Sequence, residues 1–169
     1  MPRPLRKLLT RLILEAAITF EERSYRYYQS ALERSIMSDS FDLLKKLLGE
    51  ELRHRMNLEE AQRTGSPLGL PVEEESELSR GETDAGLLSD EVVDELCDEW
   101  PEIRPEDSKQ VILERALQRE KCAFHFYQTM ARAAPLEDLR RLFNMLREEE
   151  MRHISWIEAE LKPNGKGGA

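Results

Sequence analysis

The chain has no run of about 18 uncharged apolar residues, the length a membrane-spanning helix needs. The most apolar stretch near its start, Leu12 to Phe20, is broken by Glu15 and preceded by Arg11. A transmembrane helix is therefore excluded. The same two charges interrupt the apolar centre of the opening MPRPLRKLLTRLILEAA, whose basic start is otherwise that of a secretory signal, so a cytoplasmic protein is expected. With only two cysteines, Cys97 and Cys122, there is neither a disulfide framework nor a four-cysteine metal site. Eight glycines and eight prolines gather mostly in the middle and at the ends, which leaves long uninterrupted segments for helix. No continuous basic face accompanies the net charge of −9, and this argues against nucleic-acid binding. What remains is 169 residues, 19.7 kDa and 40% hydrophobic, enough for one domain with a real core.

The charge is unevenly spread. Between Ser66 and Ser108 stand 15 Asp or Glu and two Arg, so this segment carries −13 and the remainder +4. The acidity belongs to a connector, read either as a solvated surface or as a docking site for a basic partner.

The sequence repeats itself at an offset of 99 residues. Ile13-Leu14-Glu15 falls on Ile112-Leu113-Glu114, Ala17 on Ala116, Glu21 on Glu120, and Tyr28-Gln29 on Tyr127-Gln128. Without a gap, Glu50, Glu51, Arg53 and His54 then fall on Glu149, Glu150, Arg152 and His153. So dense a match indicates a duplicated two-helix unit.

Each half reads as a helical hairpin. Ile13, Ala17, Phe20, Ser24, Tyr28 and Leu32 recur at helical steps, as do Leu43, Leu44, Leu47, Glu51, His54 and Leu58 after candidate N-caps Ser38, Asp39 and Ser40; Gly65 and Pro67 end the second helix. In the second half, Pro105 with Glu106 and Asp107 is expected to open a helix through Ile112, Ala116, Glu120, Ala123, Tyr127 and Met130. Pro135 restarts the chain as a helix through Leu139, Leu142, Leu146, Glu150, His153 and Ile157. The expected organisation is a hairpin over 8–64, the acidic connector over 65–104, a hairpin over 105–162 and a disordered tail over 163–169. Within the connector, Ser89 to Trp100 has the pattern of a short amphipathic helix. Crossing a bundle of about 35 to 40 Å takes only about 12 extended residues at about 3.3 Å each, far fewer than the connector supplies. The expected fold is all-α.

Six polar residues break the apolar stripes: Glu21, Glu51, His54 and their counterparts Glu120, Glu150, His153. Glutamate and histidine three apart, as in Glu51-x-x-His54 and Glu150-x-x-His153, project from one helix face and can hold a common ion. One Glu from each of two helices plus a Glu-x-x-His from each of the other two is the ligand arrangement of di-iron and di-manganese carboxylate bundles. Four buried carboxylates carry four negative charges, and leaving one uncompensated costs several kcal/mol; two divalent ions balance them, with neutral imidazoles completing the set. Oxygen donors with a few nitrogens and no thiolate suit iron or manganese better than a structural zinc.

These motifs, Ala17-Ile18-x-x-Glu21 with Tyr28, Glu50-Glu51-x-x-His54, Ala116-Leu117-x-x-Glu120 with Tyr127, and Glu149-Glu150-x-x-His153, resemble those of the ferritin-like superfamily, in particular the small rubrerythrin-like proteins. The resemblance covers all four long helices. It implies a ferritin-like four-helix bundle with a long crossover, two iron ions, and dioxygen or hydrogen peroxide as oxidant. It further implies that Glu51 and Glu150 bridge the metals, that Glu21 and Glu120 bind terminally, and that His54 and His153 supply one nitrogen each.

The chain departs from the family pattern at three points. Rubrerythrins carry another iron-binding Glu where this chain has Ala123, so its six-ligand set is closer to that of bacterioferritins. The four-cysteine rubredoxin module is absent, so the electron donor is expected to be a separate protein such as a rubredoxin. No fifth helix is expected after Leu161, which argues against a ferritin-type storage cage.

The leading expectation is a non-haem di-iron oxidoreductase reducing peroxide. The alternatives are a ferroxidase or iron-binding protein reacting with dioxygen, and a hydroxylase or a di-manganese or mixed-metal protein on the same bundle. Tyr28 and Tyr127 are read either as hydrogen-bonding ligand carboxylates or passing an electron, or as aromatic core residues. Glu50 and Glu149 point about 100° away from the ligands, toward supporting or surface roles. Glu15, Glu114 and His125 are expected at the periphery, and Cys122 as a small semi-buried side chain. Because each half has an apolar face it cannot cover alone, a homodimer open to exchange of halves is expected.

Overall fold

The computed structural model describes residues 2–34, 40–65, 103–104 and 106–162. Four helices make up these segments: α1 (Arg3–Arg34), α2 (Phe41–Thr64), α3 (Lys109–Ala133) and α4 (Glu137–Leu161). α1 packs with α2 and α3 with α4 as the two hairpins, and α1 meets α3 while α2 meets α4. Among the described residues there is no strand, and the all-α bundle expected from the duplication is what forms. No described helix is long and apolar enough to cross a membrane.

Helix limits show where local chemistry differs from the sequence reading. α1 starts at Arg3, earlier than the expected residue 8, because Pro4 lies in the first turn, where its missing N–H is no loss. α2 ends as expected on Gly65, whose φ of 70° suits glycine and whose N–H reaches Ala61 O at 3.0 Å. At its other end Ser40 occupies the N-cap position in a helical conformation with no side-chain cap bond; Ser38 and Asp39 lie outside the described residues. α3 is opened by Ser108, whose hydroxyl accepts from Val111 N at 3.3 Å, instead of by Glu106 and Asp107. Asp107 is occupied elsewhere, accepting from Arg104 N at 2.6 Å and from Arg115. α4 begins just after Pro135, with Glu137 and Asp138 placed where the helix dipole favours negative charge. Pro105, the expected connector helix and the tail all lie outside the described residues.

The core is divided in two. One apolar cluster, including Ile13, Ala17, Phe20, Leu58, Phe126, Met130, Leu142 and Phe143, fills one end of the bundle, where Phe20 and Phe126 stack 4.1 Å apart. A second, with Tyr28, Leu44, Leu47, Ile103, Leu113, Ala116 and Ile157, fills the other. Each fully buried large apolar side chain contributes about 1.5–3 kcal/mol of transfer free energy. Ile103 returns the chain to this second end, where Arg34 donates to its carbonyl at 2.7 Å. Between the clusters lie Glu21, Glu51, His54, Glu120, Glu150 and His153, all at most 1% exposed.

Candidate metal centre

All six predicted ligands converge at the middle of the bundle. One atom each from Glu51, Glu120, Glu150 and His153 lies within 4.8 Å of the others, and the same holds for Glu21, His54 and Glu150. Glu150 thus belongs to both groups, whereas Glu51 belongs to the group of Glu120 and His153. The two imidazole rings are nearly parallel, with centroids 5.5 Å apart.

Both histidines turn Nδ1 inward. His153 Nδ1 lies 3.1 Å from Glu120 Oε2 and 3.2 Å from Glu150 Oε2. His54 Nδ1 lies 3.2 Å from Glu150 Oε1 and 3.6 Å from Glu21 Oε1. The latter approaches are not aligned as hydrogen bonds: His54 Nδ1, Glu150 Oε1, Glu21 Oε2 and Glu51 Oε1 are buried with no hydrogen-bond partner. Four lone-pair atoms left unpaired in one buried site are costly unless something else binds them. A pair of divalent cations fits this donor set, since oxygen and imidazole nitrogen are their preferred ligands and their charge cancels that of the carboxylates.

The titration behaviour points the same way. Burial, followed by repulsion from the neighbouring carboxylates, lifts Glu51 and Glu120 to about 7, and it lifts Glu21 well above the ordinary carboxyl range. Burial pushes Glu150 upward too, but the hydrogen bond from His153 and the close imidazole of His54 outweigh it and hold Glu150 ionised. Against the cost of burial, hydrogen bonds to Glu120 and Glu150 raise His153 to about 10, and the hydrogen bond to Glu149 with the nearby carboxylates of Glu150 and Glu21 raises His54. Without metal, the site holds its charge in check by keeping protons.

The tyrosines support the cluster across the halves. Tyr28 of α1 donates to Glu120 of α3, and Tyr127 of α3 donates to Glu21 of α1. Both phenols are fully buried core residues as well. The tyrosine in each half serves the glutamate of the other, because α1 and α3 run antiparallel and bring 21 opposite 127 and 28 opposite 120.

Glu149 supports His54 in the same cross-half way, accepting from Nε2 at 2.7 Å while also taking Arg53 at 3.2 Å and Arg152 at 3.0 Å. Glu50 is held by Arg53 on the surface side, and one of its oxygens lies within 4.8 Å of both imidazoles. Glu15 and Glu114 are taken up by Arg11 and Gln110 on the outside, His125 is exposed, and Cys122 is half-buried; no described cysteine is free.

One buried charge escaped the sequence reading. Arg119 is 1% exposed, with its guanidinium 4.4 Å from the Phe20 ring centroid, and its charge favours the ionised form of Glu51. The signal was present: position 119 lies three after Ala116 and four before Ala123, on the inward stripe. Its counterpart 99 residues earlier is Phe20, so at this break in the repeat the two differing residues stack on each other.

Residues 111–167 match the family model described as Rubrerythrin. Over that third of its length the chain is similar to rubrerythrins. No curated protein and no solved structure matches it. The matched segment takes in most of α3 and all of α4, with Glu120, Tyr127, Glu150 and His153. The internal repeat carries the same motif to Glu21, Tyr28, Glu51 and His54. Match and cluster together support a di-iron carboxylate protein in general terms and a metal site in this rubrerythrin-like bundle.

Proposed function

We propose that this chain is a non-haem di-iron oxidoreductase that reduces hydrogen peroxide with electrons from a separate donor protein. The observation carrying the reading is the set of unpaired carboxylate and imidazole atoms buried between two apolar clusters. Glu21 and His54 would hold one iron, Glu120 and His153 the other, with Glu150 shared and Glu51 bridging or beside the second. Iron bound there supplies reversible one-electron chemistry next to an oxidant.

The chain's own residues do the rest. Tyr28 and Tyr127 fix the orientation of the terminal carboxylates, and burial keeps the Tyr28 phenol protonated so that it remains a donor. The apolar clusters on both sides keep bulk water out of the centre. Peroxide reduction takes two electrons and two protons to give two waters.

Reaction with dioxygen, as a ferroxidase, is the second reading. Ala123 favours it: the residue is buried in α3 where rubrerythrins place a further carboxylate, leaving a six-ligand set. Stopped-flow oxidation of the di-ferrous protein separates the two. Faster oxidation by peroxide than by dioxygen supports our reading, and the reverse order overturns it. If dioxygen proves faster, Ala123→Glu should move the preference toward peroxide. A cytoplasmic location and a homodimer remain part of the proposal; the exposed stripe Leu5, Leu8 and Leu12 on α1, 45–53% exposed, supports self-association.

A further inference from the structure

The two candidate ligand histidines differ in what stands behind them. His54 is backed by a carboxylate, Glu149, which accepts from its Nε2 at 2.7 Å. His153 is backed by an aromatic ring: the indole of Trp156 lies 5.1 Å from the imidazole, centroid to centroid, tilted by 32°. The repeat does not demand this, because the residue 99 positions before Trp156 is the exposed Asn57. Trp156 is itself half-buried, and the ammonium of exposed Lys46 sits 3.2 Å above its ring. A continuous line therefore runs from a surface cation through an indole to His153, whose Nδ1 meets Glu120 and Glu150. On the other side, His54 opens onto the charged Arg53, Glu149 and Arg152 group.

We propose that Trp156 is the electron entry point of this protein, coupling a one-electron donor arriving at the Lys46 face to the metal position held by His153. The inference rests on the oxidoreductase reading above. Electrons tunnel better through packed π-systems than through a solvent gap, and the Trp156–His153 pair is a packed route that ends directly on a candidate ligand ring. Each transfer oxidises the donor by one electron and reduces the centre by one, with the indole unchanged overall; two transfers supply what one peroxide consumes. Lys46 adds a positive charge at the rim, which favours an anionic donor. By stacking on His153, Trp156 also holds that ring in place, so a structural effect must be told apart from an electronic one.

Two readouts do so. Iron-loaded wild type, Trp156→Phe and Trp156→Leu are reduced by photoreduced flavin mononucleotide, an anionic one-electron donor. We expect equal iron content and equal midpoint potential in all three, near wild-type reduction for Phe, and severalfold slower reduction for Leu. Equal reduction rates in all three overturn the proposal, as does a Leu variant whose slowness follows from lost iron. Cobalt(II) titration followed by tryptophan emission provides the second readout, independent of turnover. Quenching is expected in wild type and largely lost in Trp156→Phe, which leaves only Trp100; equal quenching in both overturns the coupling. Cobalt binding without any reducible iron centre in wild type overturns the oxidoreductase reading, and this inference with it, whereas a reducible centre with unaffected rates overturns the inference alone.

Discussion

Raising the pH from about 5 to about 8 should destabilise the metal-free protein, opposite to the gain expected where folding lowers carboxyl pKa values. Glu51 and Glu120 have folded pKa values near 7 against an ordinary 4.5, and Glu21 is shifted the same way. A raised pKa means that the folded state binds the proton more tightly. Its stabilisation is complete below the unfolded pKa and lost as pH climbs through the folded one. His153, raised to about 10, adds a loss of the same sign that begins above its unfolded value. Glu150, lowered, stays ionised in both states across this window and contributes no slope. At about 1.4 kcal/mol per pKa unit, Glu51 and Glu120 account for about 3 kcal/mol each, so several kcal/mol disappear over the window. For a chain of this size about 2–4 °C of Tm follows each kcal/mol, giving a fall on the order of 10 °C. Thermal melts by circular dichroism in chelator, stepped across that range, measure it. A Tm that is flat or rises toward pH 8 refutes the reasoning, while restoring two equivalents of iron(II) at the upper end should recover the loss by binding the ionised carboxylates.

Three further outcomes follow. Glu150→Ala removes the carboxylate common to both ligand groups, so isothermal titration should show both metal positions sharply weakened; loss of one with the other intact contradicts the shared role. Tyr127→Phe leaves buried Glu21 without its phenolic donor and should cost about 1–3 kcal/mol in denaturant unfolding of the metal-free protein; no change in the midpoint would mean that the hydrogen bond is not made. Light scattering at micromolar concentration should give the mass of a dimer, and Leu8→Glu, a charge within the exposed leucine stripe of α1, should return it to a monomer; a wild-type monomer removes the dimer from the account.

Much of this architecture was legible in the sequence because duplication converts a weak motif into a strong one. A single Glu-x-x-His on a helix is commonplace; two of them, each 30 residues after a buried-face glutamate, leave few alternatives to a shared centre. Periodicity gives the face of a helix but not the face of its neighbour. It thus placed Tyr28 and Tyr127 on the right stripes without showing that each serves the opposite half, and it left Glu149 without His54. Arg119 was passed over because a charge on an inward stripe reads as an exception until the ring of Phe20 is seen beneath it. Local competition explains the misplaced start of α3: Asp107, an acceptable cap by composition, is taken by Arg104 and Arg115, and Ser108 caps instead.

The central claim is a centre of two metals held by six side chains in one bundle. Elemental analysis of the purified protein, repeated on Glu51→Ala and Glu150→Ala, tests it most directly. The account predicts two equivalents of iron per chain, with both variants sharply depleted. One equivalent of tightly bound zinc, or unchanged metal content in both variants, contradicts it.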